Sequence, residues 1–241
     1  MFIPLHDTNP LKRIDYQYVT VALIVLNVAI YVIFLSGWVI PLDEEDTAAF
    51  AVVPAKLMGA SLADATSIVP GVFPFPERFT LVSYMFLHGD FAHVGINSLW
   101  LLVFGPPVAQ RLGTLEFLIF FFLCGIAAAG VHLAWNWGSI VPVVGASGAI
   151  SGLMGASIRL LYGRRDSYFA ETPRLAPLLS RPVLMVSAAW AVANVIAGVL
   201  RIGVTEEYAL VAWQAHLGGY FAGLLAIGPF DRFGRGPIPA G

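Results

Sequence analysis

Charge is what this chain has least of. Of its 241 residues 12% are charged and 58% hydrophobic, against roughly 25% charged in soluble domains. That leaves too little polar surface to cover a water-facing globule, so a polytopic membrane protein is the expected class. Basic runs are also missing. No stretch holds more than two consecutive Lys or Arg and the net charge is -2, so nucleic acid is not an expected partner. Cysteine is nearly absent: Cys124 stands alone, which excludes an intrachain disulfide. A signal peptide is not expected either. The first fifteen residues carry His6, Asp7, Lys12, Arg13 and Asp15, and the apolar run after them is too long for a signal core.

What is present is a series of uncharged runs. The expected spans are residues 16–42, 91–110, 114–135, 147–163, 182–202 and 208–230. Residues 117–158 form one uncharged stretch of 42, twice the roughly 20 that one crossing needs. Trp135-Asn136-Trp137-Gly138 and Pro142 divide it, because indoles favour the headgroup boundary and Gly and Pro suit a turn. The expected fold is therefore an all-α, six-helix membrane bundle with a long first loop at 43–90. Residues 1–15 and 231–241 are read as short cytoplasmic ends. With the amino terminus inside, the inner side receives Lys12, Arg13, Arg111, Arg159, Arg164, Arg165, Arg174, Arg181, Arg232 and Arg235. The outer side receives Lys56, Arg78 and Arg201. Positive charge gathers on the cytoplasmic side of membrane proteins, so both termini are expected there.

A few polar side chains interrupt the spans at one depth. At 1.5 Å per helical residue, Ser147 lies roughly 18 Å above Arg159, or on the order of 10 Å below the outer face of a ~30 Å core. His216 and Asn97 come out at similar depth, roughly 12 and 10 Å down. His93 stands one turn above Asn97 on the same face. Polar groups at such depth are costly unless they face protein or a wet cavity. Their types make a catalytic set. A serine hydroxyl needs an adjacent base, which a neutral imidazole provides. Ser147 opens a helix whose unpaired N–H groups favour negative charge, and Asn97 and His93 add donors for an oxyanion. No deep carboxylate is available to orient His216, so a Ser–His dyad is expected rather than a triad. Gly148 and Gly152 repeat every four residues on the fourth span, as Gly219 and Gly223 do beside His216. Small residues at this spacing let helix backbones approach closely.

Each signal has a plainer reading. G-x-S-G can be packing alone, and His216 a satisfied interior histidine. His88, His93 and Asn97 can line the water path of a transporter or channel. A catalytically silent binder of membrane helices is a further alternative. Neither the H-E-x-x-H of zinc proteases nor the G-x-G-D of aspartyl intramembrane proteases occurs, and no metal or cofactor is expected.

His88-Gly-Asp-Phe-Ala-His93-Val-Gly-Ile-Asn97, Gly145-Ala-Ser147-Gly148 and Ala215-His216-Leu-Gly-Gly219-Tyr-Phe-Ala-Gly223 together resemble the motifs of the rhomboid intramembrane serine proteases. The likeness runs from roughly Thr80 to Ala226. It implies Ser147 as nucleophile and His216 as general base. It also implies an oxyanion hole from His93, Asn97 and the Ser147 N–H, with His88 shaping the cavity. Substrates would be transmembrane segments of other membrane proteins in the same bilayer, cut without a cofactor, with the fifth helix and the loop after it as gate and cap. Two features depart from the pattern. Pro106-Pro107-Val108-Ala109-Gln110 stands where many members carry an acidic residue, and the first loop lacks their Trp-Arg pair. A bacterial cytoplasmic membrane is the expected location.

Overall fold

The computed structural model describes residues 15–36, 49–57, 77–163, 174–201 and 212–233. Six helices of fifteen or more residues lie among them: α1 (Asp15–Ser36), α2 (Phe91–Leu112), α3 (Thr114–Trp135), α4 (Ser147–Leu161), α5 (Arg181–Val199) and α6 (Trp213–Phe233). Four of these, α1, α2, α3 and α5, are long and apolar enough to cross a membrane. No strand occurs among the described residues, and Val52 and Val143 form an isolated bridge. Residues 1–14, 37–42, 208–211 and 234–241, on which the expected ends of the first and last spans and both termini fall, lie outside the described residues. The helix at the carboxyl side continues past the expected 230 to Phe233, while α4 stops at Leu161, short of 163.

The surface is inverted relative to a soluble protein. Val25, Leu35, Leu102, Leu115, Val192 and Leu225 are exposed, while Asn27, Asn97 and Ser151 are buried. An apolar belt on this scale marks contact with lipid rather than water. Polar and small side chains on α1 and α2 turn inward. On α1 the inward face is Val19, Thr20, Leu23 and Asn27, which packs on α2 where Gly105 makes room for Thr20. On α2 it is Val94, Asn97, Leu101, Gly105, Val108 and Leu112, a period of three to four residues that defines one helical stripe. Pro106 and Pro107 sit inside this helix, which membrane helices tolerate because neighbours satisfy the freed carbonyls. Asp90 caps α2 by accepting the His93 N–H at 2.7 Å, and Gly113, at φ +90°, turns the chain into α3.

α4 is the buried centre. It packs most extensively on α6, then on α3 and α2, and Gly148 to Leu153 are all buried. At 1.5 Å per residue its fifteen residues span about 22 Å, less than the ~30 Å core. The chain therefore reaches α4 through non-helical backbone, residues 139–146. Such backbone survives at depth only when protein satisfies its hydrogen bonds. The first loop does this. Val52 and Val143 exchange N–H···O bonds of 3.1 and 2.8 Å, Ala55 N–H donates to Ser139 O at 3.0 Å, and Gly145 N–H donates to Tyr84 O at 2.8 Å. Tyr84 is itself pinned, its hydroxyl donating to Gly125 O of α3 at 2.7 Å. At the opposite end the part-buried Arg111 of α2 pairs with Asp231 of α6 through Nε and, at 3.0 Å, Nη2. Arg159 of α4 donates to Ala176 O at 3.0 Å and Leu224 O at 3.1 Å.

Candidate active site

The site begins with glycines. Gly145 has φ +113°, a conformation that side chains disfavour. A Cβ there would meet His93 Nε2 at 2.6 Å and Asn97 Nδ2 at 3.5 Å. Glycine at 145 thus lets the backbone lie directly against two polar side chains from α2. Two residues on, Ser147 begins α4, and the residue before it, Ala146, offers no side chain to cap the helix. The first bond of the helix is Ile150 N–H to Ala146 O at 3.0 Å, so the preceding amides point out of the helix start without an intrahelical partner.

α6 brings the histidine. A Cβ on Gly219 would run into the Gly148 carbonyl, one on Gly223 into the Gly152 carbonyl, and one on Gly155 into the Tyr220 carbonyl. Backbone on backbone is the closest approach two helices can make. In that register His216 Nε2 lies 2.8 Å from Ser147 Oγ. The other ring nitrogen, Nδ1, lies 2.9 Å from Asn194 Oδ1 of α5. Asn194 Nδ2 donates to Trp213 O at 2.9 Å. Below the serine, Ser151 Oγ donates to Ser147 O at 2.8 Å.

The remaining polar groups gather on the α2 side. Asn97 Nδ2 is buried and has no hydrogen-bond partner among the described residues. A buried donor left unpaired is expensive, and this one faces the backbone just ahead of Ser147. His88 packs edge-on against His93, ring centroids 5.0 Å apart, with both its ring nitrogens buried. His88 precedes α2. Burial, reinforced by the neighbouring His93, pushes its pKa down to about 4. Residues from α2, α4, α5 and α6 thus meet at one place. His132 stands apart from them, its ring and carbonyl bonded to the Asn136 amide at the end of α3.

A protein-family model, the Rhomboid domain, matches residues 76–230. The chain belongs to the rhomboid family. The members of that family are generally serine proteases. The chain is 29% identical over 147 residues to "RHOMBOID-like protein 5" of Arabidopsis thaliana, which covers 61% of this chain and 42% of that protein. It is 32% identical over 116 residues to "Putative rhomboid protease YdcA" of Bacillus subtilis (strain 168), covering 45% of this chain and 55% of that one. It is also 29% identical over 153 residues to "Rhomboid protein 1, mitochondrial" of Saccharomyces cerevisiae (strain ATCC 204508 / S288c), covering 62% of this chain and 41% of the relative. The matches thus cover about half the length of these relatives, or less. All the rhomboid-like residues named from the sequence, from His88 to Gly223, fall inside the matched segment.

Two contributors escaped the sequence. Asn194 is a lone amide in an apolar helix, and the rule that flagged Asn97, a polar group at depth, applies equally to it. Tyr84 carries the Gly145 amide through its backbone carbonyl, and a backbone contact leaves no mark in side-chain pattern.

Proposed function

We propose that this rhomboid is an intramembrane serine endopeptidase. It cleaves transmembrane segments of membrane-protein substrates near their outer end through a Ser147–His216 dyad. The 2.8 Å approach of His216 Nε2 to Ser147 Oγ, inside an apolar bundle, is the observation that carries it. Neutral His216 takes the hydroxyl proton as Oγ attacks the scissile carbonyl. The oxyanion that forms accepts hydrogen bonds from the Ser147 N–H, Asn97 Nδ2 and His93, donors already aimed before charge develops. His216 then gives its proton to the departing amine, leaving an acyl-enzyme. Water enters from the outer side, loses a proton to the same imidazole as it attacks the acyl carbon, and the imidazole returns that proton to Ser147 Oγ as the acid leaves. His88 supports the ring of His93.

Six crossings with both termini cytoplasmic, in a bacterial cytoplasmic membrane, complete the proposal, and the ten-to-three excess of Lys and Arg on one side supports the orientation. A substrate helix hides its carbonyls in its own hydrogen bonds, so segments with small or helix-weakening residues are the preferred class. They enter laterally past α5, which leans on the bundle chiefly through α6.

The test is covalent labelling of the purified chain with a fluorophosphonate. Adduct at Ser147, absent in Ser147→Ala and lost in His216→Ala, is expected. A folded protein that takes no label, or whose Ser147→Ala variant keeps full function in cells, points instead to a transporter or a silent binder of membrane helices.

A further inference from the structure

We propose that Asn194 is the positioning residue of this site: it fixes the proton of His216 on Nδ1 and holds the ring with its Nε2 lone pair toward Ser147. The inference rests on the reading of Ser147 and His216 as nucleophile and base.

It follows from which groups can only accept. The Trp213 carbonyl has no proton to give, so the Asn194 group 2.9 Å from it is the amide nitrogen. That orientation leaves the amide oxygen 2.9 Å from His216 Nδ1. An amide oxygen also only accepts, so Nδ1 carries the hydrogen. A neutral imidazole has one N–H, and Nε2 is therefore left with the lone pair. The 2.8 Å contact to Ser147 is then one in which the hydroxyl donates, as proton abstraction requires. Each bond in the chain sets the direction of the next, from a backbone carbonyl of α6, through α5, back to α6 and on to α4. Without the amide, either tautomer of His216 serves the fold equally well. One of the two has no lone pair to offer the serine.

The placement of Asn194 is itself fixed by packing. Ser187 and Tyr220 hydroxyls lie 2.9 Å apart, Trp190 stacks on Tyr220 with centroids at 4.1 Å, and Gly198 lets α5 close on Trp213. Positions 187, 190, 194 and 198 fall on one face of α5, so Asn194 is held in register from both sides. A neutral acceptor is also the economical choice at this depth, where an unpaired carboxylate would be strongly disfavoured.

The experiment uses the full chain in detergent or vesicles and two variants. Asn194→Leu keeps the volume and removes the acceptor. Asn194→Asp keeps the acceptor toward His216 and adds charge, while giving up the Nδ2 donor to Trp213 O. The rate of fluorophosphonate labelling at Ser147 is measured against pH, alongside kcat and KM for a transmembrane peptide. Asn194→Leu should label and turn over about 100-fold more slowly, as for a catalytic group displaced by an ångström, with KM little changed. Asn194→Asp should recover most of the rate at high pH, with the acid limb of its profile moved up by about a unit or more, because the new charge favours the imidazolium. A folded Asn194→Leu protein that labels at the wild-type rate with an unmoved acid limb overturns the proposal. If that variant does not fold, Asn194→Asp decides alone, and an unmoved limb overturns it. Wild type that takes no label at Ser147 overturns the protease reading itself, a separate outcome.

Discussion

Replacing Gly219 by alanine puts one methyl group where the Gly148 carbonyl already stands. Both collision partners sit next to the chemistry: Gly148 follows Ser147, and Gly219 is one turn beyond His216. Neither side can yield cheaply, because each is backbone in a helix rather than the end of a flexible side chain. Relief requires α4 and α6 to part by on the order of 1 Å, and forced overpacking of this kind costs about 1–3 kcal/mol. The same movement carries His216 Nε2 from 2.8 Å past the roughly 3.5 Å at which a hydrogen bond ceases. The expected result is a fall of about 100-fold in kcat, measured as cleavage of a transmembrane peptide and as labelling of Ser147, with a lower melting temperature. Gly130→Ala on α3 is the control, since a Cβ there meets nothing within 4 Å. It should be neutral or stabilising by under about 1 kcal/mol and label normally. A Gly219→Ala protein that labels as fast as wild type refutes the link between backbone contact and dyad geometry.

Asp231→Asn leaves the part-buried Arg111 guanidinium facing an uncharged amide and should lower stability by about 2 kcal/mol, read by thermal unfolding; an unchanged melting temperature contradicts it. If Asn97 serves the oxyanion as proposed, Asn97→Ala should reduce kcat by about 100-fold while KM stays near wild type, since on that mechanism its donor is used only once the oxyanion forms. The wild-type rate should fall as pH drops and the imidazole of His216 takes up a proton; a profile flat into strong acid rules out His216 as base. His88, held at about 4 in the fold against an ordinary 6.5, binds its proton more readily when unfolded. Stability should therefore be unaffected above pH 6.5 and decline as pH falls from there toward 4, with a shallower decline in His88→Gln.

The site was legible because membrane burial makes polarity conspicuous. Ser147, His216, His93 and Asn97 stood out against apolar runs, and counting helical rise put them in one layer. The geometry adds the contact between His216 and Ser147. The Gly148/Gly152 and Gly219/Gly223 stripes announced close helix packing for the same kind of reason: few other residues permit it. What stayed hidden was non-local. The sequence holds no deep carboxylate to orient His216, and a single neutral amide at 194 carries no charge to set it apart from the apolar residues around it. The apolar pieces of the first loop gave no sign that Val52 and Ala55 would supply hydrogen bonds to residues 139–146, because ladder partners are set by tertiary position and not by local periodicity. Nor does periodicity reveal that α4 is too short for the core.

The pairing of Val52 with Val143 also orders assembly in time. Ribosomes deliver residues 49–57 and Tyr84 long before the stretch that leads into α4, so a template for that stretch exists when it emerges. Exchanging the two halves of the gene by circular permutation would reverse the sequence of events, sending the segment that carries Ser147 into the bilayer with its amides unmatched.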